Sequence, residues 1–204
     1  MKRLWLVLCF VPSVLLAQKV PVGGLGPGPR RFQPDTALPP ATRAYSIGVV
    51  GFTGGTWQPS GLEFAMLWRL SAGLPTSIGA SLGLGTFVQN QAVLFGMTRG
   101  FFTSLGVTVR QPLADLASLG GEHSTSVLKL ELAGDLAGSA NFDSPLPQGR
   151  WDVRAALLVG FAFGSRDPLG QSAGLYFGPA ALIGGTTTTL GEFAFRMRVP
   201  LGRR

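Results

Sequence analysis

Glu131 and Asp135, four residues apart, are the carboxylates of this chain best spaced for acid–base chemistry. On a β-strand, positions four apart share a face, and paired carboxylates there could pass a proton. Lys129 shares that face and more basic residues lie on other segments, so a structural salt-bridge network is the better reading. The single histidine, His123, stands among Glu122, Ser124 and Ser126, where an imidazole could activate a hydroxyl. A metal site would need more histidines or denser carboxylates than the sequence has. Gly23 to Gly28 superficially has the glycine content of a phosphate-binding loop. No strand pattern precedes it and no helix pattern follows, which makes it a linker. Thr186 to Thr189 is a β-prone polar stretch and not a known binding element. No catalytic residue, cofactor or metal is expected.

The N-terminal region reads as export machinery. Lys2 and Arg3 precede an apolar run from Leu4 to Leu16 that ends in Ala17-Gln18, the layout of a signal peptide over 1–17. That run is shorter than the ~20 residues a membrane helix needs. Its removal takes the only cysteine, Cys9, and two of the 17 basic residues, leaving 15 − 10 = +5. The basic residues are scattered, with only Arg30-Arg31 and Arg203-Arg204 adjacent, so nucleic-acid binding is not expected. Residues 18–43 form a Pro/Gly-rich tether that cannot bury enough apolar surface to fold alone. Charged residues make up only 13% of the chain and glycines number 30. Low charge without a long apolar helix leaves the β-barrel as the membrane option.

From Tyr45 onward the apolar pattern has period two, the signature of two-faced strands. Leu62, Phe64, Met66, Trp68 and Leu70 oppose Glu63, Ala65, Leu67 and Arg69. Around 128–137 leucines alternate with Lys129, Glu131 and Asp135. At 151–163 apolar residues oppose Asp152 and Arg154, and in the last segment Phe193 to Leu201 alternate with Glu192, Arg196 and Arg198. Weaker strands fit at 44–57, 77–88, 101–110 and 172–185, eight in all. Breakers are Pro59-Ser60-Gly61, Gly73-Leu74-Pro75, Pro112, Pro145 to Gly149 and Asp167-Pro168-Leu169-Gly170, with a turn near Gly184-Gly185.

The minority face of the four best strands carries five bases (Arg69, Lys129, Arg154, Arg196, Arg198) and five acids (Glu63, Glu131, Asp135, Asp152, Glu192). Its other residues are mostly small. That balance suits a closed lumen in which buried charges must pair. Phe87, Tyr176, Leu67 and Leu158 add bulk to the same interior. Trp57, ending the first strand, and Trp151, beginning the sixth, would mark one rim with an aromatic girdle. The expected fold is all-β: an antiparallel, up-and-down, membrane-spanning barrel of about eight strands over 44–201, with a basic tail at 202–204. A soluble secreted β-domain, apolar face inward, is the alternative.

The leader, the tether, eight amphipathic strands and the terminal Phe193-Ala194-Phe195-Arg196-Met197-Arg198-Val199-Pro200-Leu201 resemble the small eight-stranded bacterial outer-membrane barrels. The resemblance implies outer-membrane lipid as surroundings and the barrel-assembly machinery as reader of the last strand, although here Arg203-Arg204 follow the final aromatic. It also implies short periplasmic turns. The connections at 73–77 and 166–171 fit that rule, and 112–123 exceeds it. Either a short helix with Leu113, Leu116 and Leu119 fills 112–123 or the strand register there differs. A lipid A deacylase of eight strands places His and Ser two apart on a lipid-facing strand. Two residues after His123 comes Thr125, and Ser126 faces the other way, so a solvated loop histidine is the better reading. Two function classes follow: a non-enzymatic barrel with a filled lumen and a structural or loop-mediated role, or a small barrel passing or holding a small hydrophobic ligand.

Overall fold

The computed structural model describes residues 41–71, 74–89, 97–118 and 126–201. The expected leader, nearly all of the tether, Glu122 to Thr125 with His123, and the basic tail lie outside the described residues. Eight strands follow in order: β1 (Arg43–Thr53), β2 (Trp57–Arg69), β3 (Ser77–Gln89), β4 (Thr98–Ser118), β5 (Ser126–Phe142), β6 (Trp151–Ser165), β7 (Ser172–Ile183) and β8 (Thr187–Leu201). Each pairs antiparallel with its sequence neighbour, and β1 also pairs with β8, which closes the sheet into a barrel.

The pairing register fixes the geometry of the closed sheet. From Arg43 the cross-strand partners run Trp68, Ile78, Val109, Gly134 and Leu157. Between the pairs Ala156–Ala180 and Val159–Phe177 the path crosses to Pro179, then to Gly191 and back to β1 at Thr53. One circuit therefore advances 53 − 43 = 10 residues. With ~3.3 Å per residue and ~4.8 Å between strands, eight strands with that stagger tilt by about 40°. A ring so tilted has an interior only wide enough for side chains to fill.

The two faces separate by chemistry. Outward stand Tyr45, Ile47 and Val49 of β1, Phe64 of β2, Leu82 of β3, Leu105 of β4, Phe161 of β6 and Phe195 of β8, all exposed. Inward stand Glu63, Arg110, Glu131, Asp135, Glu192, Arg196 and Arg198, all buried. Small apolar layers cap this charged interior at both ends. Val50, Phe52, Leu182 and Leu190 close the upper end, and Ala41, Ala44, Ala65, Leu67 and Leu169 the lower end, where both termini of the barrel lie. Phe87, Tyr176, Leu67 and Leu158 are all buried.

Several boundaries differ from those read in the sequence. The first reversal falls at 54–56, where Gly54 and Gly55 take positive φ (97° and 89°) that side chains rarely adopt. Pro59-Ser60-Gly61 is therefore not a breaker but part of β2. The β1 pairing ends at Ser60, so the missing N–H of Pro59 leaves no gap on that side. No helix occupies the described part of 112–123. β4 runs straight through Pro112 to Ser118, absorbing it with register shifts at Pro112/Ala114 and Asp115/Ala117. Bulges are where a strand tolerates proline. The turn before β8 does lie at Gly184 to Thr186, and Thr187 to Thr189 open that strand.

Candidate functional site

The lumen centre holds three bases and three acids. Arg196, on β8, donates from Nε to Glu63 Oε1 (3.0 Å) and from Nη2 to Asp135 Oδ2 (2.6 Å). Arg154, on β6, donates to Glu63 Oε2 (3.0 Å). Arg110, on β4, lies 3.6 Å from both Glu63 Oε1 and Asp135 Oδ1. Thr108 Oγ1 donates to Asp135 Oδ1 (2.6 Å). Glu192 is the loosest member, with Arg154 Nε at 3.8 Å and Arg196 Nη2 at 4.0 Å. The guanidinium groups of Arg110 and Arg196 each sit 5.5 Å from the Tyr176 ring centroid. Charges this deep persist only when opposite charge and donors surround them.

A second group lies nearer the lower end. Arg198 Nη2 and Tyr176 OH both donate to Glu131 Oε2, at 2.9 Å and 2.7 Å. Lys129 Nζ stands 3.5 Å from Glu131 Oε1. Arg198 also donates through Nη1 to the Pro168 carbonyl, because the 166–171 turn folds back under the barrel with Leu169 fully buried. A latch holds that turn. Arg69 Nη2 donates to Asp167 Oδ1 (2.5 Å), and the Ala41 N–H donates to Asp167 Oδ2 (2.7 Å). The chain just before β1 is thereby pinned across the lower opening.

Of the ten lumen charges read from the sequence, Glu63, Asp135, Arg154, Glu192 and Arg196 meet in the central group, and Lys129, Glu131 and Arg198 in the lower one. Glu131 and Arg196 do not pair with each other. Arg69 stands apart in the latch. Asp152 joins neither ion group: it is buried and accepts from Asn141 Nδ2 (2.6 Å). The sequence reading missed Arg110, Asp167 and the pair Arg166–Asp115 (3.6 Å). Arg110 was legible as the inward position of β4 two residues after Thr108. Asp167 carried no signal beyond its turn.

Trp57 does not join Trp151 in an outward aromatic girdle. Trp57 opens β2 and does not close β1. It stands at the same rim as Trp151, but it shares the parity of the inward Pro59 and Glu63 and is half-buried, whereas Trp151 is 67% exposed. The early reversal at Gly54-Gly55 puts Trp57 on that inward phase.

The space beside the inward glycines is taken by the side chains of their partners on the adjacent strand, Gly48 by Arg196 and Gly160 by Tyr176. A Cβ on Gly48 would lie 2.7 Å from Arg196 Cγ, and one on Gly160 would lie 2.2 Å from Tyr176 Cδ1. Glycine is needed there because larger neighbours fill the space. A cleft of about 20 Å³ at the upper mouth, between Phe52, Pro59, Phe87, Asn141, Asp152 and Arg154, has room for about one water molecule. Among the described residues no group of His, Cys, Asp or Glu is arranged to hold a metal ion. No protein-family model, curated protein or solved structure matches this chain.

Proposed function

We propose that the chain is a non-enzymatic bacterial outer-membrane barrel whose filled lumen makes it a rigid anchor, exported by its leader and surrounded by outer-membrane lipid. One observation carries this reading: the polarity is inverted relative to a water-soluble barrel. Buried charge faces inward, and large apolar side chains cover the outside on every strand. Water-soluble proteins rarely expose contiguous apolar patches beyond a few hundred Å², and a belt around the whole barrel far exceeds that. In lipid the same belt is satisfied. Twelve residues tilted by about 40° rise roughly 30 Å, the thickness of the hydrocarbon core. A soluble secreted β-domain would need the opposite arrangement.

The protein is expected to fractionate with outer membranes and to run faster on a gel unheated than boiled, as closed barrels resist unfolding by detergent. Recovery as a detergent-free periplasmic monomer would overturn the reading.

A transport role is disfavoured by the caps at both ends and by the ion groups between them. The purified barrel in a planar bilayer should show no discrete conductance steps; reproducible steps would put transport first. The connections at 54–56 and 184–186 are three residues each. An interaction role at the upper rim therefore falls to the side where β4, β5 and β6 meet.

A further inference from the structure

That side of the upper rim concentrates its exposed charge. The turns at 54–56 and 184–186 carry no charged residue, and neither does the sequence of 90–96. The exposed charges at this end are Arg99, Asp143 and Arg150, all at the edge of β4, β5 and β6. Beneath them the apolar belt ends in aromatics. Phe101 and Phe142 stack face to face with centroids 4.5 Å apart, Arg150 lies over the Phe142 ring at 5.9 Å, and Trp151 faces outward beside them. A register shift aims Arg99. β4 carries an extra residue opposite Gly85 to Phe87, at Gly100, whose φ is 61° and whose Cβ, if present, would meet the Asp143 carbonyl oxygen at 2.5 Å. Arg99 Nη2 reaches Asp143 Oδ1 at 3.0 Å, a solvent-exposed pair that is easily exchanged. Arg150 has no carboxylate partner among the described residues.

We propose that this corner docks the phosphate of an anionic lipid headgroup, resting on the membrane reading above. An aromatic shelf at the end of an apolar belt lies at headgroup depth. Two guanidinium groups with one weak carboxylate between them leave a net positive charge at that depth. Guanidinium forks match phosphate oxygens in geometry and charge. Asp143 holds Arg99 until phosphate replaces it.

The test uses the full-length chain in mixed micelles of phosphatidylcholine and phosphatidic acid, with bound lipid read by native mass spectrometry. Folding of every variant is first checked by the gel shift. The parent should select phosphatidic acid. Arg99→Gln and Arg150→Gln should each reduce that selection about fivefold, and the double variant about 25-fold. Asp143→Asn should raise it, and Arg43→Gln, an exposed arginine at the opposite rim, should change it less than twofold. A double variant as selective as the parent, or an equal loss in Arg43→Gln, overturns the proposal. So does release of the lipid by millimolar inorganic phosphate, which would make this a free-anion site. A parent that enters lipid without selecting overturns this proposal alone; a parent that enters no lipid overturns the membrane reading with it.

Discussion

Arg196→Met should lower the unfolding free energy of the barrel by about 3–5 kcal/mol, the usual loss when one partner of a buried ion group is removed. Methionine keeps most of the length and volume, so packing changes little and the loss is electrostatic. What remains is two buried carboxylates, Glu63 and Asp135, that had shared one guanidinium. Arg154 still reaches Glu63 at 3.0 Å, but it stands 3.9 Å from Asp135, and Arg110 keeps 3.6 Å from both. Asp135 is thus the more stranded of the two. Adding Asp135→Asn to Arg196→Met should recover part of the loss, since asparagine still accepts from Thr108 and carries no charge. Urea unfolding of barrel refolded into lipid vesicles reads both effects as midpoint shifts. An unchanged midpoint for Arg196→Met would mean that water already screens the lumen centre, and would favour a hydrated pore over the proposed sealed anchor.

The strands were legible in the sequence because the outer and inner environments differ so sharply. Leu62 to Leu70 and Phe193 to Leu201 alternate without error, since each slip by one residue would put charge in the apolar belt. Boundaries were less legible where backbone chemistry outweighs pattern. Pro59 and Pro112 read as breakers, yet one lies beyond the β1 pairing and the other at a bulge. For the same reason Arg110 reads as the end of a short strand, whereas it lies in the middle of a long one. The pairings themselves were out of reach. Arg196 and Glu63 lie 133 positions apart in sequence, and only the ten-residue stagger of the closed sheet brings them level. Asp167 shows the same limit from the other side: Asp-Pro-Leu-Gly announces a turn, but nothing local says that the turn folds back beneath the barrel to meet Arg69 and Ala41.

Glu131→Ala should cost a similar 3–5 kcal/mol by a different route, because it strands bases and not acids. Glu131 is fully buried and holds Arg198 at 2.9 Å and Lys129 at 3.5 Å, and it accepts the Tyr176 hydroxyl at 2.7 Å. Arg198 keeps its bond to the Pro168 carbonyl, so it retains one partner. Lys129 has no other ion pair within 4.0 Å among the described residues, which makes it the source of most of the loss. Lys129→Met should therefore rescue Glu131→Ala by a larger margin than Arg198→Met does. Tyr176 links the two charge groups: its hydroxyl is bound to Glu131 while its ring lies against Arg110 and Arg196. Freed of its acceptor, that ring can shift, and the central group shifts with it. Glu131→Ala and Arg196→Met combined should then depart from additivity by about 0.5–3 kcal/mol, as contacting networks do. Strict additivity in the urea midpoints would show the two groups to be independent, and Tyr176 to be a spacer between them.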